Sequence, residues 1–331
     1  MTATLRALFW SSRPLSWINT AFPFAAAYVL TAASTPSPDA DAGGAYVSQS
    51  VADAVADGSA AVVVLTGPSP AFDFSGVPWL IAVVGILYFL VPYNLAMYGI
   101  NDVFDYESDL RNPRKGGVEG ALLDRSLHRT TLWAAVVTNV PFLVLLVVVG
   151  SPLSWLVLAI SVFAVIAYSA PGLRFKERPF VDSITSSTHF VSPAVYGLAL
   201  AGATVTPQLV ALLAAFFLWG MASHAFGAVQ DVIADREGGI ASIATVIGAK
   251  ATVRFSVVAY LLAGVLMTFT DFPGPIAAVI PVVYAISCAP WWNVADADAE
   301  AVNRGWKRFL TLNFLSGFVT TMLLIWWVAL A

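Results

Sequence analysis

Nine long apolar runs, joined by short polar connections, constrain this 331-residue chain more than any other feature. They fall roughly at 14–33, 77–100, 130–149, 152–170, 182–202, 207–227, 251–270, 274–291 and 308–330. A helix needs about 20 mostly apolar residues to cross a bilayer. Only 11% of the residues are charged, against about 25% in a soluble domain. Lipid must therefore solvate much of the surface. The expectation is an all-α, polytopic membrane protein with nine transmembrane helices, forming one domain over 1–331.

The cations set the expected orientation. All sixteen Lys and Arg lie in five groups: Arg6 and Arg13, Arg111 to Arg129, Arg174 to Arg178, Arg236 to Arg254, and Arg304 to Arg308. The alternate connections, near 34–76, 150–151, 203–206 and 271–274, contain none. Cytoplasmic loops are enriched in Lys and Arg. The pattern predicts a cell-membrane protein with its N-terminus in the cytoplasm and its C-terminus outside. The stretch 34–76, rich in Ala, Ser, Pro, Gly and Asp, reads as an extracytoplasmic loop insertion. A net charge of −4 gives no reason to expect a nucleic-acid partner. The single cysteine, Cys288, excludes an internal disulfide and a cysteine-clustered metal site.

Two connections on the cation-rich side carry the chemistry. One reads Asn101-Asp102-Val103-Phe104-Asp105-Tyr106-Glu107-Ser108-Asp109, the other Asp231-Val232-Ile233-Ala234-Asp235-Arg236-Glu237. Each contains DxxxD. Helical residues four apart share a face, so a continuous helix would pair Asp105 with Asp109 and Asp231 with Asp235. Asn101 lies one turn back on the first face. The offset is the same for both aspartates, 231 − 105 = 126 and 235 − 109 = 126, as expected of two related halves facing one cavity. Clustered carboxylates repel unless a cation joins them. Magnesium suits them, being hard and commonly held by one or two carboxylates plus phosphate oxygens. A leaving diphosphate also needs cationic donors; Arg114, Lys115, Arg174 and Lys176 are the candidates. Tyr168 and His224 are candidate cavity residues, the latter two turns before Asp231. A hydrogen-bonded helix contact is expected for His189.

At these motifs the chain resembles the UbiA superfamily of intramembrane prenyltransferases. The resemblance rests on NDxxDxxxD at Asn101 to Asp109, DxxxD at Asp231 to Asp235, the segment Tyr168-Ser169-Ala170-Pro171-Gly172-Leu173-Arg174-Phe175-Lys176, and the nine runs. It implies a helical bundle around a central cavity that opens toward the cytoplasm. It implies Mg2+ held by Asp105, Asp109, Asp231, Asp235 and Asn101, which together form the catalytic cluster. Lys115, Arg174, Lys176, Asn101 and Asn19 would bind the diphosphate. A narrower likeness, at Asn112 to Gly120 and Phe226 to Asp231, is to the lycopene elongase branch of C50 carotenoid biosynthesis. The partners it implies are dimethylallyl diphosphate and a hydrophobic acceptor, lycopene. Two alternatives stay open: an aromatic or quinone-precursor acceptor, and, from another class, an ion-coupled transporter using its membrane aspartates.

Overall fold

The computed structural model describes residues 2–35, 71–110 and 123–330. Helices occupy all nine expected segments. A short α1 (Ala3–Ser11) precedes α2 (Trp17–Ala33). The second run forms α3 (Trp79–Leu90) and α4 (Pro92–Phe104), followed by the single turn α5 (Tyr106–Asp109). Then come α6 (His128–Val148), α7 (Pro152–Ser169), α8 (Val181–Ala201), α9 (Pro207–Val229), the short α10 (Val232–Glu237) and α11 (Ile243–Ile247). Last are α12 (Ala249–Met267), α13 (Val279–Cys288) and α14 (Asn303–Leu330).

Among the described residues, seven helical stretches are long and apolar enough to cross a membrane. The other two expected spans fall short for separate reasons. α2 is 17 residues long. α8 has the length, at 21 residues, but carries Asp182, Ser183, Thr185, Ser187, His189 and Ser192, all buried. It packs against α2, α7 and α9. Its polar groups therefore meet protein, which is where intramembrane polar groups are tolerated.

Small residues set the closest helix approaches, as in membrane bundles generally. A Cβ on Gly197 of α8 would lie 2.8 Å from the Phe24 carbonyl oxygen and 3.0 Å from the Tyr28 amide nitrogen, both backbone atoms of α2. Gly197→Ala must push α2 and α8 apart. It is expected to lower stability by about 1–3 kcal/mol, read as a lower melting temperature of the detergent-solubilised protein. An unchanged melt would show that α2 can shift freely.

The break between α3 and α4 falls at Val91–Pro92. Proline has no N–H to give and frees carbonyls behind it. Asn94 Nδ2 donates to the Phe89 oxygen at 2.7 Å and the Leu90 oxygen at 3.1 Å, and Asn139 Nδ2 donates to the Pro92 oxygen at 2.7 Å. Such re-satisfaction lets a helix break persist at membrane depth.

The connections segregate by charge. Arg13, before α2, donates to Asp102 of α4 at 2.6 Å. Arg125, before α6, pairs with Glu107 of α5. Lys176, before α8, contacts Asp105. Asp182, at the start of α8, accepts from the Ile243 amide of α11 at 2.8 Å. Arg236 of α10 reaches Asp296, in the turn before α14, at 2.6 Å. These links gather the cation-bearing segments at one end of the bundle. At the other end Ser34–Thr35 (β1) pairs antiparallel with Ala71–Phe72 (β2), and the Phe72 ring meets Trp327 of α14 at 5.0 Å. Residues 36–70, most of the expected loop insertion, lie outside the described residues.

Candidate active site

Both aspartate motifs sit where a long helix stops. Each motif lies at the end of a helix, as its place in a connection leads one to expect. α4 ends at Phe104, and Asp105 takes φ −101°, ψ 1° before α5 begins. α9 ends at Val229, and Asp231 takes φ −97°, ψ −2° before α10 begins. The two first aspartates, 126 positions apart, thus share nearly one backbone conformation. It lies in the sparsely allowed bridge region, where many active-site residues are found. One-turn spacing survives the break. The Asp105 amide donates to the Asn101 oxygen at 2.9 Å, and the Asp235 amide to the Asp231 oxygen at 2.8 Å.

A turn at Phe175–Glu177, between α7 and α8, meets the first motif. Lys176 Nζ contacts Asp105 Oδ1, with an Arg174 guanidinium nitrogen 3.7 Å from the same oxygen. The charge of Asp235 also acts on Lys176. One ammonium therefore lies in the fields of both halves. Burial pushes Lys176 down to about 8, although Glu177 and Asp235 favour its charged form. Arg174 has a left-handed φ of 40°. Its Nε donates to Glu177 at 2.7 Å, and this bond lowers the Glu177 carboxyl and raises the guanidinium.

Asn101 joins the same region through its side-chain oxygen, which accepts from Ser169 Oγ at 2.8 Å. Tyr168, one residue earlier, is bonded to His224 of α9, with Tyr168 Oη 3.1 Å from His224 Nε2. Both are half-buried. His189 is a helix contact, as expected. Its backbone oxygen accepts from Tyr93 Oη at 3.2 Å, and its ring meets Tyr168 of α7 edge-on at 5.1 Å. Asn19 is half-buried on α2. Lys115 and Arg114, and the Asp109 side chain, lie outside the described residues.

Three groups escaped sequence reasoning. Asp182, Glu177 and the Arg13–Asp102 pair all hold site residues or their neighbours in place. Asp182 alone left a signal, as a carboxylate at the start of an otherwise apolar run.

The donor set suits a hard cation. Asp105, Asp231, Asp235 and Asn101 offer carboxylate and amide oxygens, and the fold has already drawn an ammonium between the two halves. Among the described residues no three Asp, Glu, His or Cys side chains form a complete ligand group. Magnesium does not need one, because phosphate oxygens and water commonly complete its shell.

The comparisons agree with this geometry. The profile of the UbiA prenyltransferase family matches residues 60–316. A lycopene elongase/hydratase of Corynebacterium glutamicum is 49% identical over 325 residues, covering 98% of each chain. One of Haloarcula japonica is 32% identical over 276 residues, covering 80% of this chain and 85% of that one. Among solved structures, a UbiA homolog from Archaeoglobus fulgidus bound to GPP and Mg2+ superposes with a TM-score of 0.60 at 17% identity, covering 94% of this chain and 99% of that one. The same homolog bound to DMAPP and Mg2+ gives 0.58 at 18%, covering 95% and 99%. With seven apolar helices among its described residues and two aspartate motifs at helix ends, this multi-pass membrane protein belongs to the UbiA prenyltransferase family and is a prenyltransferase.

Proposed function

We propose that the enzyme transfers dimethylallyl groups from dimethylallyl diphosphate to the ends of lycopene, in a magnesium-dependent reaction of C50 carotenoid biosynthesis. The observation that carries this reading is the position of Lys176, in contact with one aspartate motif and in the field of the other. Relatives named lycopene elongase/hydratase support the acceptor, and a neighbour bound to DMAPP and Mg2+ supports the donor and the metal. Family membership as an enzyme removes the transporter alternative.

Asp105, Asp109, Asp231, Asp235 and Asn101 would hold the metal. When bound, Mg2+ offsets negative charge on the diphosphate oxygens. Lys176 and Arg174 offer charged donors to the same oxygens, and Lys115 and Asn19 remain candidates for that role. The donor C1–O bond breaks with its electron pair going to diphosphate. The terminal double bond of lycopene supplies the pair for the new C–C bond and leaves a tertiary cation. Loss of a proton, or capture of water with loss of a proton, ends the reaction. The surrounding helices exclude stray water until coupling is complete. The cation-bearing end faces the cytoplasm, with nine spans when α2 and α8 are included, in the cell membrane.

Membranes supplied with lycopene, dimethylallyl diphosphate and Mg2+ should yield C45 and then C50 carotenoids by liquid chromatography and mass spectrometry. EDTA should stop product formation, and excess Mg2+ should restore it. Product from an aromatic acid or quinone precursor, with none from lycopene, would place the enzyme on the aromatic branch.

A further inference from the structure

A chain of hydrogen bonds runs from Tyr168 away from the carboxylate cluster, and its direction is fixed at the far end. Asp182 Oδ1 accepts from the Ser183 amide at 2.6 Å and from Ser183 Oγ at 3.2 Å, while Oδ2 accepts from the Ile243 amide at 2.8 Å. A carboxylate in this position only accepts. Ser183 has one hydroxyl proton. Pointing it anywhere but at Asp182 would set two acceptor oxygens against each other. With that proton committed, Ser183 Oγ must accept from His224 Nδ1, 3.1 Å away. A neutral imidazole with its proton on Nδ1 has a lone pair on Nε2. Tyr168 must then donate its hydroxyl proton to that nitrogen across 3.1 Å. One residue, Asp182, thereby sets the tautomer of a histidine two links away.

The chain lies close to the proposed chemistry. Ser169, next to Tyr168, is bonded to Asn101 of the first motif. His224 lies on α9, seven residues before Asp231. The charge of Asp235 reaches Tyr168. His189 backs the Tyr168 ring edge-on and fixes its plane.

We propose that Tyr168, His224, Ser183 and Asp182 form the relay that accepts the proton released when the product cation is quenched. The proposal rests on the prenyl-transfer reading above. Tyr168 is the catalytic group that meets the reacting atoms; the other three are positioning residues. As the C–H bond beside the tertiary cation breaks, its electron pair forms the new C=C bond and its proton passes to the Tyr168 oxygen. The Tyr168 hydroxyl proton moves at the same time to His224 Nε2. Where water is captured instead, the O–H proton of that water takes the same route. His224 then carries the positive charge, and Asp182 compensates it through Ser183.

The test uses membranes containing the full chain, with lycopene and dimethylallyl diphosphate labelled with 18O in the ester bridge. His224→Gln should lower kcat for coupling by about 10²-fold, within the usual range for losing a positioned acid or base, with KM for the donor unchanged. Ionisation should persist, so 18O should still scramble from bridging to non-bridging positions in recovered donor. Tyr168→Phe keeps the ring against His189 and should behave the same way; it carries the test if the His224→Gln protein does not accumulate. Wild-type kcat in Tyr168→Phe, or loss of scrambling together with product, would overturn the relay while leaving the prenyl-transfer reading intact. Absence of any lycopene product from the wild-type enzyme would overturn both.

Discussion

Asp231→Asn and Asp105→Asn, made singly, are each expected to lower kcat/KM for coupling by about 10³-fold, the upper end of what one removed electrostatic group costs. The amide keeps the shape of the side chain and removes its charge. The backbone at both sites is held by main-chain bonds, Asp105 N to Asn101 O and Asp235 N to Asp231 O, and these do not depend on the carboxylates. Asp231→Asn should therefore keep its backbone geometry while losing activity. Asp105→Asn should also melt lower, because Lys176 would lose the carboxylate it contacts. Initial rates by mass spectrometry, set beside detergent melting curves, separate the two effects. Full turnover in either variant would remove that aspartate from the site.

Arg13→Met should have the largest effect on folding. The Asp102 side chain is 0% exposed and Arg13 only 12%. Removing one partner of a buried ion pair costs about 3–5 kcal/mol. Methionine keeps much of the aliphatic stem and leaves the Asp102 carboxylate without its guanidinium. The double change Arg13→Met with Asp102→Asn should recover much of the loss, since it removes the second charge as well. Melting temperatures across the four proteins test this, and a single variant as stable as the wild type would show that the pair contributes nothing.

Helix positions were legible to within a few residues where one physical cause acted. The expected 152–170 became Pro152–Ser169, and 207–227 became Pro207–Val229, because apolar length decides where a span begins and ends. The ends of both long helices at the motifs were legible, because the apolar runs stop near 100 and 227. The shared bridge-region backbone of Asp105 and Asp231 was not, because spacing of four predicts only a shared helical face. α8 was legible as a helix, but the purpose of its polar residues was not. Ser183 finds His224 41 positions away, and Asp182 finds Ile243 61 positions away. Arg13 and Asp102 are separated by 89. Motif residues announce themselves by local pattern, whereas the groups that hold them depend on the packed bundle.

The ammonium of Lys176 already lies against Asp105, so the site is never without a counter-ion. A divalent ion arriving alone has to displace a charge that the fold supplies. The same ion arriving with diphosphate gives Lys176 a new anion to face. By linkage, each ligand must then tighten the other by the same factor. On the proposed reading, metal and donor load cooperatively, and the enzyme holds little metal between turnovers.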